Sequence, residues 1–231
     1  MTRDLPEYHQ RVADENRTAV LTAAQTLFLE SGYDRTSLAR VAARAGVSKA
    51  TLFKQFPTKA LLFEATVLAV GSTPGGTVPV PPPGDLHAGL LALGRAYADV
   101  LVQPRTADLI RLVIAEAPRF PELGERTFDF GTLPALVALR RYLRAEREAG
   151  HVTVEDPETV ATQFLGMIAG AVFWPRLVHA TWSIDADGVR DAIEEAVRTI
   201  VARCTARPTA PGRAAVGGTE GAGRTGDHLP S

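Results

Sequence analysis

Cysteine is almost missing from this chain: Cys204 stands alone among 231 residues, so no internal disulfide can close. Histidine is sparse as well, and His87, His151 and His179 lie too far apart for metal-ligand spacing. A disulfide-stapled or zinc-built fold is therefore excluded, and neither a metal nor a cofactor is expected. No Ser/His/Asp order, phosphate-cradling glycine loop or paired-carboxylate spacing is present. Gly75–Gly76 sits among prolines and opens no helix. Nothing here favours an enzyme. Long apolar runs are lacking too. The amino terminus, MTRDLPEYHQRVADEN, has no apolar core of signal-peptide length. The uncharged stretch Thr159–Pro175 contains Gln163 and falls short of the ~20 apolar residues a membrane span requires. A buried helix, in a soluble protein of the reduced cytoplasm, is the expectation.

Glycine and proline are plentiful but unevenly placed. Gly71–Gly84 holds four Gly and five Pro in 14 residues, and Arg207–Ser231 holds six Gly and three Pro in 25. Proline removes backbone donors and its runs favour extended chain, so 71–84 reads as a linker. Residues 207–231 have little to bury and read as a disordered tail. Residues 1–13 read as an amino-terminal arm. What remains is helical in period: a small unit at 14–70 and a larger bundle at 85–206. Helices are expected at Asp14–Ser31, Leu86–Val102, Asp108–Ala117, Pro134–Ala149, Pro157–His179 and Val189–Cys204. Asp14, Thr132 and Asp156 stand where caps belong. The β-like alternation of His151–Val154 is too short for a sheet. The fold class is all-α.

The informative stretch is Arg35–Lys59, RTSLARVAARAGVSKATLFKQFPTK. Thr36 is expected to cap a helix whose apolar face is Leu38, Val41, Ala42 and Ala45. Gly46 ends it in the left-handed region that glycine tolerates, Val47 plugs the turn, and Ser48 caps a second helix carrying Leu52 and Phe56. Two helices around a short glycine turn make a helix-turn-helix. Pro57 stops the second helix, and Thr58 caps the next, Lys59–Val70.

Charge indicates what the unit does. Between Arg35 and Ala60 there are six basic residues and no acidic one, although the whole chain is near neutral with 25 basic and 26 acidic groups. A recognition helix needs short side chains to approach base edges and cations to meet phosphates. Lys49, Ala50, Thr51 and Lys54 are assigned to base readout; Ser48, Thr36, Lys59 and Arg17 to phosphate positioning.

The segment resembles the TetR family of transcriptional repressors. The resemblance is carried by Arg17, Val20, Leu21, Ala23, Ala24, Leu27 and Phe28, by Gly32–Tyr33 and Thr36–Ser37, and by AGVSKATLFKQFPTK, Ala45–Lys59. It covers about 50 residues. RLVIAEAPRFPEL, Arg111–Leu123, also looks like the sixth-helix region of a common subgroup. The resemblance implies a DNA-reading head and a larger domain that binds an inducer and dimerises through its last two helices. The family usually has Tyr where this chain has Phe53, and Tyr or His near Gln55. Phe53 is accordingly expected to pack against the first helix rather than donate to a phosphate.

In the larger bundle, Pro157–His179 is apolar on all sides, so it needs cover on more than one face. Gly166, Gly170 and Phe173 are assigned to a homodimer interface. Phe128, Trp174 and His179 are the candidates for contact with a small, largely apolar effector. Arg140, Arg141, Arg144 and Arg147, with Glu146 and Glu148, read as a solvated face, and Cys204 as a passive core residue. The expected function is a homodimeric repressor that holds a palindromic operator and is released by ligand. An architectural DNA binder without ligand, or an enzyme or carrier with an incidental helix-turn-helix, are the alternatives.

Overall fold

The computed structural model describes residues 4–70, 77–127 and 133–205. Among them eleven helices and no strand are found: α1 (Asp4–Ser31), α2 (Leu38–Ala45), α3 (Lys49–Gln55), α4 (Lys59–Val70), α5 (Leu86–Leu101), α6 (Pro104–Glu116), α7 (Pro121–Thr127), α8 (Pro134–Glu148), α9 (Pro157–Val172), α10 (Trp174–Val178) and α11 (Ala186–Thr205). No helix among the described residues is long and apolar enough to cross a membrane.

Two hydrophobic cores organise them. The first joins Val20, Leu27 and Phe28 of α1 to Val41 of α2, Leu52 of α3 and Leu62 and Phe63 of α4. Its centre is aromatic: Phe63 lies edge-on to Phe28 at 4.9 Å and to Tyr33 at 5.4 Å. Offset and edge contacts of this kind add to simple burial. Val113 of α6 and Leu123 of α7 enter the same core. Phe120, between α6 and α7, meets Tyr33 at 5.0 Å. The second core packs α5, α8, α9 and α11 through Leu90, Leu139, Phe164, Ile168, Val197 and Ile200. Cys204 is buried in it, and burial pushes its thiol pKa up.

Several expectations are corrected. The first helix begins at Asp4, so Asp14 lies inside it and accepts from Gln10 rather than capping a start. Ser37, not Thr36, caps α2, accepting from the Arg40 amide. The expected Pro157–His179 helix divides at Phe173, because Pro175 has no N–H for the preceding turn and instead opens α10. Helix α6 starts earlier than expected, with Pro104 in its first turn, and α7 was not foreseen. Val152 and Val154 are buried on extended chain, and the Thr153 amide donates to the Cys204 carbonyl at 3.0 Å. Glu146 leaves the solvated face of α8 altogether, being 0% exposed. The Thr132 cap, Phe128, residues 71–76 of the linker and the tail from 206 lie outside the described residues.

Candidate nucleic-acid interface and effector cavity

The turn between α2 and α3 is built from its caps. Gly46 takes φ 69°, where an L side chain is strained. The Val47 amide then donates to the Ala42 carbonyl at 3.1 Å, closing α2. The Ser48 hydroxyl accepts from the Thr51 amide at 3.0 Å, starting α3. Leu52 and Phe56 point into the head core. With seven residues, α3 thus presents its other face outward: Lys49, Ala50, Phe53 and Lys54 are exposed.

Charge on this unit is less free than the sequence suggests. Arg44 forms a forked pair with Glu30 of α1, an acid 14 positions upstream. Arg40 donates to the Arg35 carbonyl and to Ser31, and Arg35 to the Ser31 carbonyl. The Lys59 ammonium donates to the Tyr33 and Asp34 carbonyls at 3.0 and 3.1 Å and lies over the Tyr33 ring. Among the described residues, Lys49 and Lys54 have neither a hydrogen bond nor an ion pair. They are the uncommitted cations of the motif.

The assigned DNA-contact residues separate accordingly. Ser48, Lys49, Ala50 and Lys54 share the outer surface, and Thr51 is half-buried with its hydroxyl 2.8 Å from Ser48 Oγ. Arg17, on α1, is exposed, and its guanidinium lies 5.0 Å from the centroid of the Phe56 ring at the carboxyl end of α3. Thr36 does not: it is 2% exposed and its hydroxyl is engaged by the Leu27 and Gly32 carbonyls. Phe53 is 46% exposed, so it is not the buried residue that packing against the first helix would lead one to expect. Leu52 of α3 and Phe56 at its carboxyl cap take the inward positions, and Phe53 falls on the flank of that face, where it is reached by solvent. Ser37 was missed, because two adjacent hydroxyl residues offered equal capping chemistry.

The larger bundle encloses a cavity of about 340 Å³ between α4, α5, α6, α8, α9 and α10, within the usual size for small-molecule sites. Its walls are mainly aliphatic, with Leu101, Leu109, Leu136, Leu165 and Phe173 prominent. Trp174 stands in the lining, half exposed. His179 is exposed, contacts Thr181 and does not line the cavity. Phe173, assigned to a dimer interface, is 8% exposed and turned into the bundle, where it forms part of the cavity wall. Tyr97 also lines the cavity, and burial pushes its phenol up to about 12. Gly170 is exposed on α9 and outside the cavity lining, whereas Gly166, also exposed, stands in that lining; a Cβ built on either meets nothing within 4 Å.

Known proteins agree with this architecture. Residues 20–66 match the model for bacterial regulatory proteins of the tetR family, and residues 88–205 match the C-terminal domain of AefR-like transcriptional repressors. The HTH-type transcriptional regulator YdeS of Bacillus subtilis is 41% identical over 188 residues, 80% of this chain and 89% of that protein. YvkB of the same organism, also an HTH-type regulator, is 28% identical over 151 residues, 65% of this chain and 78% of its own length. Among solved structures, the flavonoid-responsive regulator FrrA superposes with a TM-score of 0.64 at 29% identity, covering 84% of this chain and 98% of FrrA. The chain belongs to the TetR family of bacterial transcriptional regulators, DNA-binding proteins of the repressor type.

Proposed function

We propose that the protein is a homodimeric repressor that holds a palindromic operator through two α3 helices and releases it when a small, largely apolar effector fills the cavity. The observation that carries this reading is the span of α4. Leu62 and Phe63 are fixed in the head core, while Val67, Leu68 and Val70 of the same helix line the cavity. A 12-residue helix moves as a rod, so a ligand that displaces its carboxyl end re-aims the head. Release follows only if the ligand binds the re-aimed state better than the DNA-bound one. That FrrA is named flavonoid-responsive supports a small organic effector at this size of cavity.

On the DNA side, Lys49, Ala50, Thr51 and Lys54 read the major groove, with Ser48 and Arg17 on phosphates. The dimer forms across the open face of α9 around Gly166 and Gly170. The test is a salt titration of operator binding by fluorescence anisotropy, on sites recovered from genomic fragments. Each cation that neutralises phosphate charge and releases a counterion contributes about 0.9 to the slope of log K against log salt, and a lysine in the groove does so as well as reading bases, so K49A/K54A should flatten it by up to about 2. Binding indifferent to salt, or none to any fragment, would overturn the reading.

A further inference from the structure

The polar groups of the cavity say more about its ligand than the apolar walls do. Two threonines in the lining have their protons engaged: Thr106 donates to the Val100 carbonyl at 2.8 Å and Thr162 to the Glu158 carbonyl at 3.0 Å, so neither is free to donate to a ligand. That leaves Tyr97 and Arg140. The Tyr97 hydroxyl has no hydrogen-bond partner among the described residues, and burial keeps its proton on, so it can donate to a ligand. Arg140 is the one charged residue in the described lining; no Asp or Glu faces the cavity there. Arg140 Nε pairs with Glu158, and so does the Arg144 guanidinium. One carboxylate between two guanidiniums leaves the group one positive charge in excess. Arg144 also keeps Glu158 paired if Arg140 turns toward a ligand, so that motion orphans no buried charge.

From an arginine group with a net positive charge and an unengaged phenol on an otherwise mainly apolar lining, we propose that the effector is a monocarboxylate with an apolar body, its carboxylate received by Arg140, with Tyr97 as a further donor. Guanidinium matches carboxylate geometry in a fork, which a neutral alcohol cannot exploit. An ammonium head would meet a group whose one carboxylate is already shared by two guanidiniums. The inference rests on the reading of this cavity as the effector site.

Octanoate, octanol and octylamine, titrated calorimetrically into the full chain, separate the possibilities. Octanoate should bind about tenfold or more tighter than octanol, as a charge-assisted contact implies, and octylamine weakest. R140Q should bring octanoate to the octanol level, and R140K should keep part of the preference. Y97F should weaken octanoate while leaving octanol nearly unchanged. Equal binding of octanoate and octanol to the unaltered chain, or a preference that survives R140Q, overturns the carboxylate assignment. It leaves the effector site standing, since octanol still binds. Failure of all three probes overturns both.

Discussion

The Tyr142 hydroxyl donates to Glu146 Oε1 at 2.5 Å, both side chains being fully buried. The Gly84 amide donates to the same carboxylate at 3.0 Å, and His151 Nδ1 lies 2.8 Å from Oε2. The end of the proline-rich segment, the start of α5, α8 and the extended 151–154 chain are thereby tied to one side chain. Burial pushes the Glu146 pKa up, but the donors from Tyr142, Gly84 and His151 outweigh it and hold it below the ordinary carboxylate range. A carboxylate depressed in the folded state stabilises above its unfolded pKa, and that contribution fades as pH falls through the folded value.

E146Q should therefore cost about 1–3 kcal/mol at neutral pH, the range for a buried group left with mismatched partners. The gap to the unaltered protein should narrow as pH drops below about 4, near the unfolded Glu pKa. Urea unfolding followed by circular dichroism at a series of pH values reads both. A pH-independent difference would show that the charge on Glu146 is not what stabilises this junction.

Two glycines should answer alanine very differently. At Gly46 a Cβ meets nothing within 4 Å, so the cost is the positive φ alone, about 1–2 kcal/mol. At Gly89 a Cβ would stand 2.1 Å from the Tyr142 ring and hydroxyl, and neither neighbour can move without opening the Glu146 cluster. G89A should lower the melting temperature far more than G46A. Comparable melting temperatures would mean that α5 and α8 slide apart cheaply.

Phe53 supplies a prediction on the DNA side. At 46% exposure, F53A should change stability by less than about 1 kcal/mol, well short of the 3–5 kcal/mol for losing a core phenylalanine. F53Y adds a hydroxyl to the outer face of α3 and should raise operator affinity by up to about tenfold, the worth of one hydrogen bond to a charged phosphate. Anisotropy titrations at fixed salt, alongside thermal melts, separate the two effects. A large loss of stability in F53A would restore the packing role that the sequence suggested.

Phe53 also shows where sequence reading stopped. The helix-turn-helix was legible because its determinants are local: Gly46 at a positive φ, Ser48 as a cap, and Leu52 and Phe56 one turn apart. Over seven residues, however, periodicity cannot decide which of two phenylalanines near one another faces inward. The choice depends on where α1 lies. Pairings across the chain were hidden for the same reason. Glu30 reaches Arg44, and Asp34 reaches Arg119 across 85 positions, so counting charges within one window overstated the free cations. The cavity was least legible, since its walls come from six separate helices; of the two proposed contacts among the described residues, Trp174 lines it and His179 does not. Glu146 was misread because a Glu among arginines looks solvated until the chain at Gly84 returns to cover it.

The proposed interface on α9 can be tested at Gly170. This residue is exposed and a side chain added there meets nothing within its own protomer, so G170R should fold with little loss of intrinsic stability. A long cation on that face would instead collide with a second copy and bury an unpaired charge, which several kcal/mol of interface energy would have to offset. Sedimentation equilibrium should show the unaltered chain as a dimer and G170R shifted toward the monomer mass of 24.7 kDa. Operator binding should weaken with it, because a single head makes too few contacts for tight specific binding. A G170R protein that sediments as a stable dimer would move the interface off this face of α9.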